Sequence, residues 1–75
     1  MIRMRIANCH QASIIKDPCD EELYEDVVAT LDAGTEISVD TTIVYWNWKD
    51  QTYYKCKWGY KEDEGYINTG LVEVI

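Results

Sequence analysis

The residues able to act as nucleophile, base or soft metal ligand are few: the thiols Cys9, Cys19 and Cys56, the single imidazole His10, and hydroxyls such as Ser13. A nucleophile must lie within hydrogen-bond reach of its base. Cys9 and His10 are chain neighbours, and neighbours on a strand point to opposite faces, so this pair is not expected to share a proton. Structural zinc needs ligands delivered in pairs from one turn, as in Cys-x-x-Cys, and the thiols and His10 lack that spacing. The acidic stretch 20–26 likewise lacks the alternating ligands and central glycine of a calcium loop. Carboxylates are abundant, but they cluster in polar loops where water keeps them ionised, so none reads as a tuned acid. The chain is therefore read as non-catalytic, with no metal and no cofactor.

The remaining chemistry is aromatic. Trp46, Trp48 and Tyr53 flank the polar turn 47–52, which also carries Asp50. Indole and phenol rings combine an apolar body with one polar end, and they stack on ligands and attract cations. With Glu22 and Tyr24 from the acidic stretch to orient a positively charged partner, Trp46, Trp48, Tyr53, Asp50, Tyr24 and Glu22 form the candidate ligand-binding set. The competing reading is that the rings plug a small core. A chain this short cannot cover both faces of its longest strand, so at least one ring is expected at the surface.

The elements that must position these residues fit into 75 residues, which is room for one domain over 1–75 and for one core. Asp and Glu outnumber Lys and Arg by 14 to 7, giving a net charge of −7. That excludes nucleic acid as an expected partner, because such binding rests on neutralising phosphates. No apolar run is long enough to span a bilayer, and the start lacks the apolar core and cleavage site of a signal peptide, so a soluble chain with no membrane partner is expected. Three cysteines are an odd number, which leaves at least one thiol free or paired between chains, and a reducing compartment is the simpler reading.

Turn signals divide the chain into short segments with no internal repeat and no linker. Residues 1–15 read as one strand, a kink near 8–11 and a second strand over 12–16, which Asp17-Pro18 ends. Over 20–31 two patterns compete. Leu23, Val27 and Leu31 are spaced as a helical stripe, whereas Val27, Val28 and Thr30 are β-branched, and a strand over 26–31 is the favoured reading. After a turn at Gly34, the residues Ile37, Val39, Thr41, Ile43 and Tyr45 alternate onto one face, with Val44, Trp46 and Trp48 on the other. Next, Tyr54, Cys56 and Trp58 oppose Tyr53, Lys55 and Lys57, a hairpin closes over 61–65, and short strands follow at 66–67 and 71–75. Val28, Leu31, Ile37, Val39, Cys56 and Ile67 are the expected core. The count implies an all-β domain of five to six antiparallel strands.

Three stretches resemble the bacterial SH3-like family often called SH3b. Residues 27–39, an apolar pair and Thr-Leu before Gly34-Thr35 and an alternating strand, are similar to that family's two strands around a glycine turn. Tyr53-Tyr54-Lys55-Cys56-Lys57-Trp58 and Gly65-Tyr66-Ile67 resemble the strands that close its barrel, and Leu71-Val72-Glu73-Val74-Ile75 sits at its last strand. On the first strand, Ala12, Ile14 and Pro18 agree, while Ile15 stands where the family carries Arg. The resemblance implies a small SH3-like barrel that binds a peptide or protein ligand, commonly a peptidoglycan peptide of the cell wall. A structural or assembly role, as in a small phage or prophage component, is the alternative. Proline-rich recognition, as in eukaryotic SH3 domains, is the lesser one, because Asn68 and Leu71 stand near the places of the Pro and Tyr those domains use.

Overall fold

Alternation of apolar and polar residues produces seven strands: β1 (Ile2–Ile6), β2 (Gln11–Ile15), β3 (Val27–Asp32), β4 (Glu36–Trp46), β5 (Thr52–Trp58), β6 (Asp63–Asn68) and β7 (Val72–Val74). A 3-10 turn, Thr69–Leu71, leads into β7. The computed structural model describes residues 1–19 and 26–75. Glu22, Tyr24 and the first part of the helical stripe weighed over 20–31, including Leu23, lie outside them. All described pairings are antiparallel, in the order β3-β2-β6-β5-β4-β1-β7, and β3 and β7 each have one neighbour. The protein is thus all-β, as expected, with seven strands among the described residues rather than five or six. The first two are separated by a bend at residues 8–10, where Asn8 takes a left-handed φ of 62°.

Chain connectivity forces this open sheet to curl. β3 and β4 stand four places apart in the order, about 19 Å in a flat sheet. They are joined by residues 33–35, and four residue steps reach about 14 Å at most. The sheet therefore coils until the link closes. At the meeting point Gly34 N donates to Ile6 O at 2.8 Å, Ile6 N to Thr35 O at 2.9 Å and Ala33 N to His10 O at 2.9 Å. Gly34 carries this corner at φ 88°, where a side chain is disfavoured.

Inside the curl, strands from both halves contribute one cluster: Met4, Ile6, Ala12, Ile14, Ile37, Val39, Cys56, Ile67 and Val72, with Leu31, Tyr54 and Trp58 packed on it. Ile37, Val39, Cys56 and Ile67 are fully buried as expected, and Leu31 is half-buried. Val28 is not buried; it is 47% exposed. The cause is a register shift. Ile14 faces Ala29 and Ile15 faces Val27, so Val28 has no opposite residue in β2; it sits at a bulge on the edge strand, its Cγ2 turned toward Gly65 while the rest of the residue stays open to solvent. The last hairpin also differs from expectation, because its turn is residues 59–62 and β6 already begins at Asp63. Cys56 behaves as a small apolar side chain, and burial pushes its thiol up to about 12, so it stays protonated at neutral pH.

The tightest point is where β2 folds onto β6. Ile15 faces Tyr66 there, and Gly65 leaves room for the Ile14 side chain: a Cβ at Gly65 would collide with Ile14 Cγ2 and lie 3.2 Å from Ile15 O and 3.3 Å from Val28 Cγ2. Ile14 is fully buried and has nowhere to go. Gly65→Ala should therefore destabilise the fold by about 2 kcal/mol despite the gain in strand propensity. Urea unfolding followed by tryptophan fluorescence measures this, and an unchanged midpoint would contradict the close approach.

Candidate functional site

β4 is the longest strand, yet it does not pair evenly. Ser38, Val39 and Asp40 face Lys57, Cys56 and Lys55, whereas Tyr45 and Trp46 face Tyr53 and Thr52. Residues 41–44 thus stand opposite Tyr54 alone, which is three extra residues. Directly opposed residues share a face, and an odd insertion reverses which face each later side chain takes. Before the insertion Ile37 and Val39 point into the core. After it, Tyr45 joins Tyr53 on the outer side of the sheet, and Trp46 joins Thr52 on the side that carries Tyr54 and Cys56. Tyr45 consequently does not continue the face of Ile37 and Val39, and Thr41 and Ile43 lie in the unpaired insertion, which corrects the simple alternation read from sequence.

Asp40 folds the insertion. Its Oδ1 accepts hydrogen bonds from Thr42 N at 3.0 Å and from Thr42 Oγ1 at 2.6 Å, an Asx turn within the strand. Those bonds stabilise the carboxylate and hold its pKa below the ordinary value. The looped-out residues Ile43 and Val44 are exposed.

Beyond the insertion the chain reverses around Asn47, a buried polar side chain. Asn47 Oδ1 accepts from Lys49 N at 3.0 Å and Gln51 N at 2.8 Å, and its Nδ2 donates to Gln51 Oε1 at 2.8 Å. Its backbone N donates to Gln51 O at 3.0 Å, and its carbonyl accepts from Asp50 N at 3.1 Å. The turn is therefore fixed at both ends. Sequence reading placed a polar turn at 47–52 but gave the Asn47 side chain no part in it, although an Asx residue followed by a short polar run is a turn signal.

Four of the six candidate residues, Trp46, Trp48, Asp50 and Tyr53, lie among the described ones. Trp46 is 58% and Trp48 54% exposed, on either side of Asn47. Asp50 is exposed at the tip with φ 60°. Tyr53 is different: it is 8% exposed, and its hydroxyl donates to Gln51 Oε1 at 3.4 Å. It supports the turn from beneath instead of offering a ring. The structure thus gathers Trp46, Trp48 and Asp50 around one turn, with Tyr53 under it. Lys49 Nζ lies 4.8 Å from the centroid of the Trp48 ring, so the protein places its own cation on that ring. Behind the site Tyr45 meets Tyr66 edge to face at 5.0 Å, and burial raises the Tyr66 phenol pKa.

Such a surface can stack against and desolvate an apolar ligand. Among the described residues no three His, Cys, Asp or Glu side chains gather where they could hold a metal ion. Compared with known proteins, the chain matches no protein-family model, and no curated protein and no solved structure is significantly similar to it.

Because Asn47 satisfies three backbone or side-chain partners from a buried position, Asn47→Ala should cost about 2 kcal/mol and loosen the turn. Thermal unfolding reads the first effect, and collapse of the chemical-shift difference between the Trp46 and Trp48 indole N–H signals reads the second. Unchanged stability would show that the turn is held by other contacts.

Proposed function

We propose that this chain is a non-catalytic binding module with a small SH3-like barrel. It recognises a peptide, of the class of peptidoglycan stem peptides that the SH3b resemblance implies, through Trp46 and Trp48. Support for the barrel comes from the curl imposed by the 33–35 link, and from the β4-β5-β6 meander that carries Tyr53–Trp58 and Gly65-Tyr66-Ile67 in adjacent strands. The observation that carries the binding reading is the exposure of two indole rings on a turn pinned by a buried asparagine. Exposing so much apolar surface on a rigid support costs solubility, and binding surfaces are where proteins tolerate that.

The partner is apolar in bulk and carries positive charge, since the chain holds a net charge of −7. A cationic group would meet Trp46 and Asp50 more readily than Trp48, whose ring already has Lys49 beside it. The assembly reading rests on a different observation: β3 and β7 are sheet edges, and Val27, Val28, Val74 and Ile75 are exposed there. Edges of that kind pair with other chains.

Titration of the labelled domain with soluble peptidoglycan fragments, cationic peptides and proline-rich peptides, followed by amide and indole NMR shifts, tests the proposal. A saturable binder should move Trp46, Trp48 and Asp50, and Trp46→Ala should weaken it about tenfold, the loss of one stacked ring. A binder whose shifts avoid this turn would refute the site. Concentration-dependent shifts at Val27 and Val74 with no binder at all would favour assembly.

A further inference from the structure

The outer face of the sheet carries a second, separate feature. Arg3 faces Ser38 across β1 and β4, and Ser38 faces Lys57 across β4 and β5, so these three side chains form one row on the side away from Ile37 and Val39. A small serine between two long cations leaves a trough. At one end the trough is walled by the 59–62 turn, which is tight and defined: Gly59 and Glu62 both have left-handed φ, 71° and 54°, and Glu62 N donates to Gly59 O at 3.2 Å. That turn thrusts Tyr60 outward at 93% exposure. Trough and wall border an open cleft of about 650 Å³, which Trp58 also lines. This lies within the size range of small-ligand sites.

The charges of the cleft select the ligand. Arg3 Nε is 3.6 Å from Glu36 Oε1, and Lys57 Nζ is 3.2 Å from Glu64 Oε1, so each cation already has a carboxylate beside it. With Glu62 also lining the cleft, Arg3 and Lys57 stand among three carboxylates, Glu36, Glu62 and Glu64, so a phosphate would be repelled, and an ammonium group would compete with the protein's own cations for Glu36 and Glu64. A neutral polyhydroxyl ring meets neither. Each of its hydroxyls can donate to a carboxylate and accept from Arg3 or Lys57, while its C–H face lies on the exposed phenol ring of Tyr60.

We propose that this cleft is a carbohydrate site for one or two pyranose rings of a neutral oligosaccharide, with Tyr60 as the stacking platform and Arg3, Ser38, Lys57 and Glu36 as hydroxyl partners. It is independent of the Trp46–Trp48 surface, because the two turns lie at opposite ends of β5, about 20 Å apart along the strand.

Titration of the labelled protein with cellobiose, maltose and diacetylchitobiose tests this, with sodium acetate and inorganic phosphate as ionic controls. At least one disaccharide should saturate at millimolar concentration with shifts at Ser38, Lys57 and Tyr60. Tyr60→Ala, at a fully solvated position whose loss leaves the core intact, should weaken that binding about tenfold, and Trp46→Ala should leave it unchanged. The proposal is overturned by saturation with none of the sugars, by sugar shifts confined to the Trp46–Trp48 turn, by unaltered binding in Tyr60→Ala, or by tighter saturation of the same amides with acetate or phosphate.

Discussion

Three additional residues in β4 decide which side chains the sheet hides and which it shows. A strand of eleven residues with unbroken pairing would carry its inward alternation to the end and set Tyr45 toward the core. The insertion at 41–44, folded by the Asp40 carboxylate on Thr42, reverses that alternation and bends the strand. Bulges of this kind increase local twist and re-aim the side chains that follow. Tyr45 is sent to the outer side, where Tyr66 and buried Tyr53 lie, while Trp46 is carried past the end of the core and left in water. Ile43 and Val44 remain outside as a direct result.

The economy of a small core explains why so many aromatic rings end at the periphery. The buried cluster is built from isoleucine, valine, methionine, alanine and one cysteine, and its narrowest crossing accepts only glycine at position 65. Tyr54 and Trp58 reach that cluster only from its margin. A sheet curled by a three-residue link has little interior to offer, so rings occupy the rim at both ends of β5. One end presents Trp46 and Trp48 beside a surface suited to an apolar, positively charged partner. The other presents Tyr60 beside a trough whose cations, Arg3 and Lys57, are already ion-paired.

Much of this was legible in the sequence. Period-two alternation located β4 and β5, and the β-branched residues at 27, 28 and 30, together with the SH3b resemblance, favoured a strand over 26–31 instead of a helix, shifted by one residue from the observed Val27–Asp32. Gly34 marked the corner, and Cys56 declared itself as core by alternating with Tyr54 and Trp58. What escaped was register, which belongs to two strands at once. Val28 looks like a core residue until β2 is laid against it, and Thr41 to Val44 keep strong β character while stepping out of the ladder. Only Asp40 followed by Thr42 hints at the Asx turn that causes it. At the candidate site, exposure of Trp46 and Trp48 follows from the limited size of the core. The burial of Tyr53 and the bracing by Asn47 depend on how the turn folds back, which no spacing reveals.

The measurement that bears most directly on this account is the set of interstrand proton–proton NOEs between β4 and β5. Reversal of the faces predicts cross-strand contacts between Tyr45 and Tyr53 and between Trp46 and Thr52, together with Val39 to Cys56 on the near side of the insertion. Cross-strand contacts of Thr41 with Tyr54 and Ile43 with Thr52 would mean that the near-side register runs on unbroken. The insertion, the outward turn of Tyr45 and the placement of the Trp46–Trp48 surface would then all be contradicted.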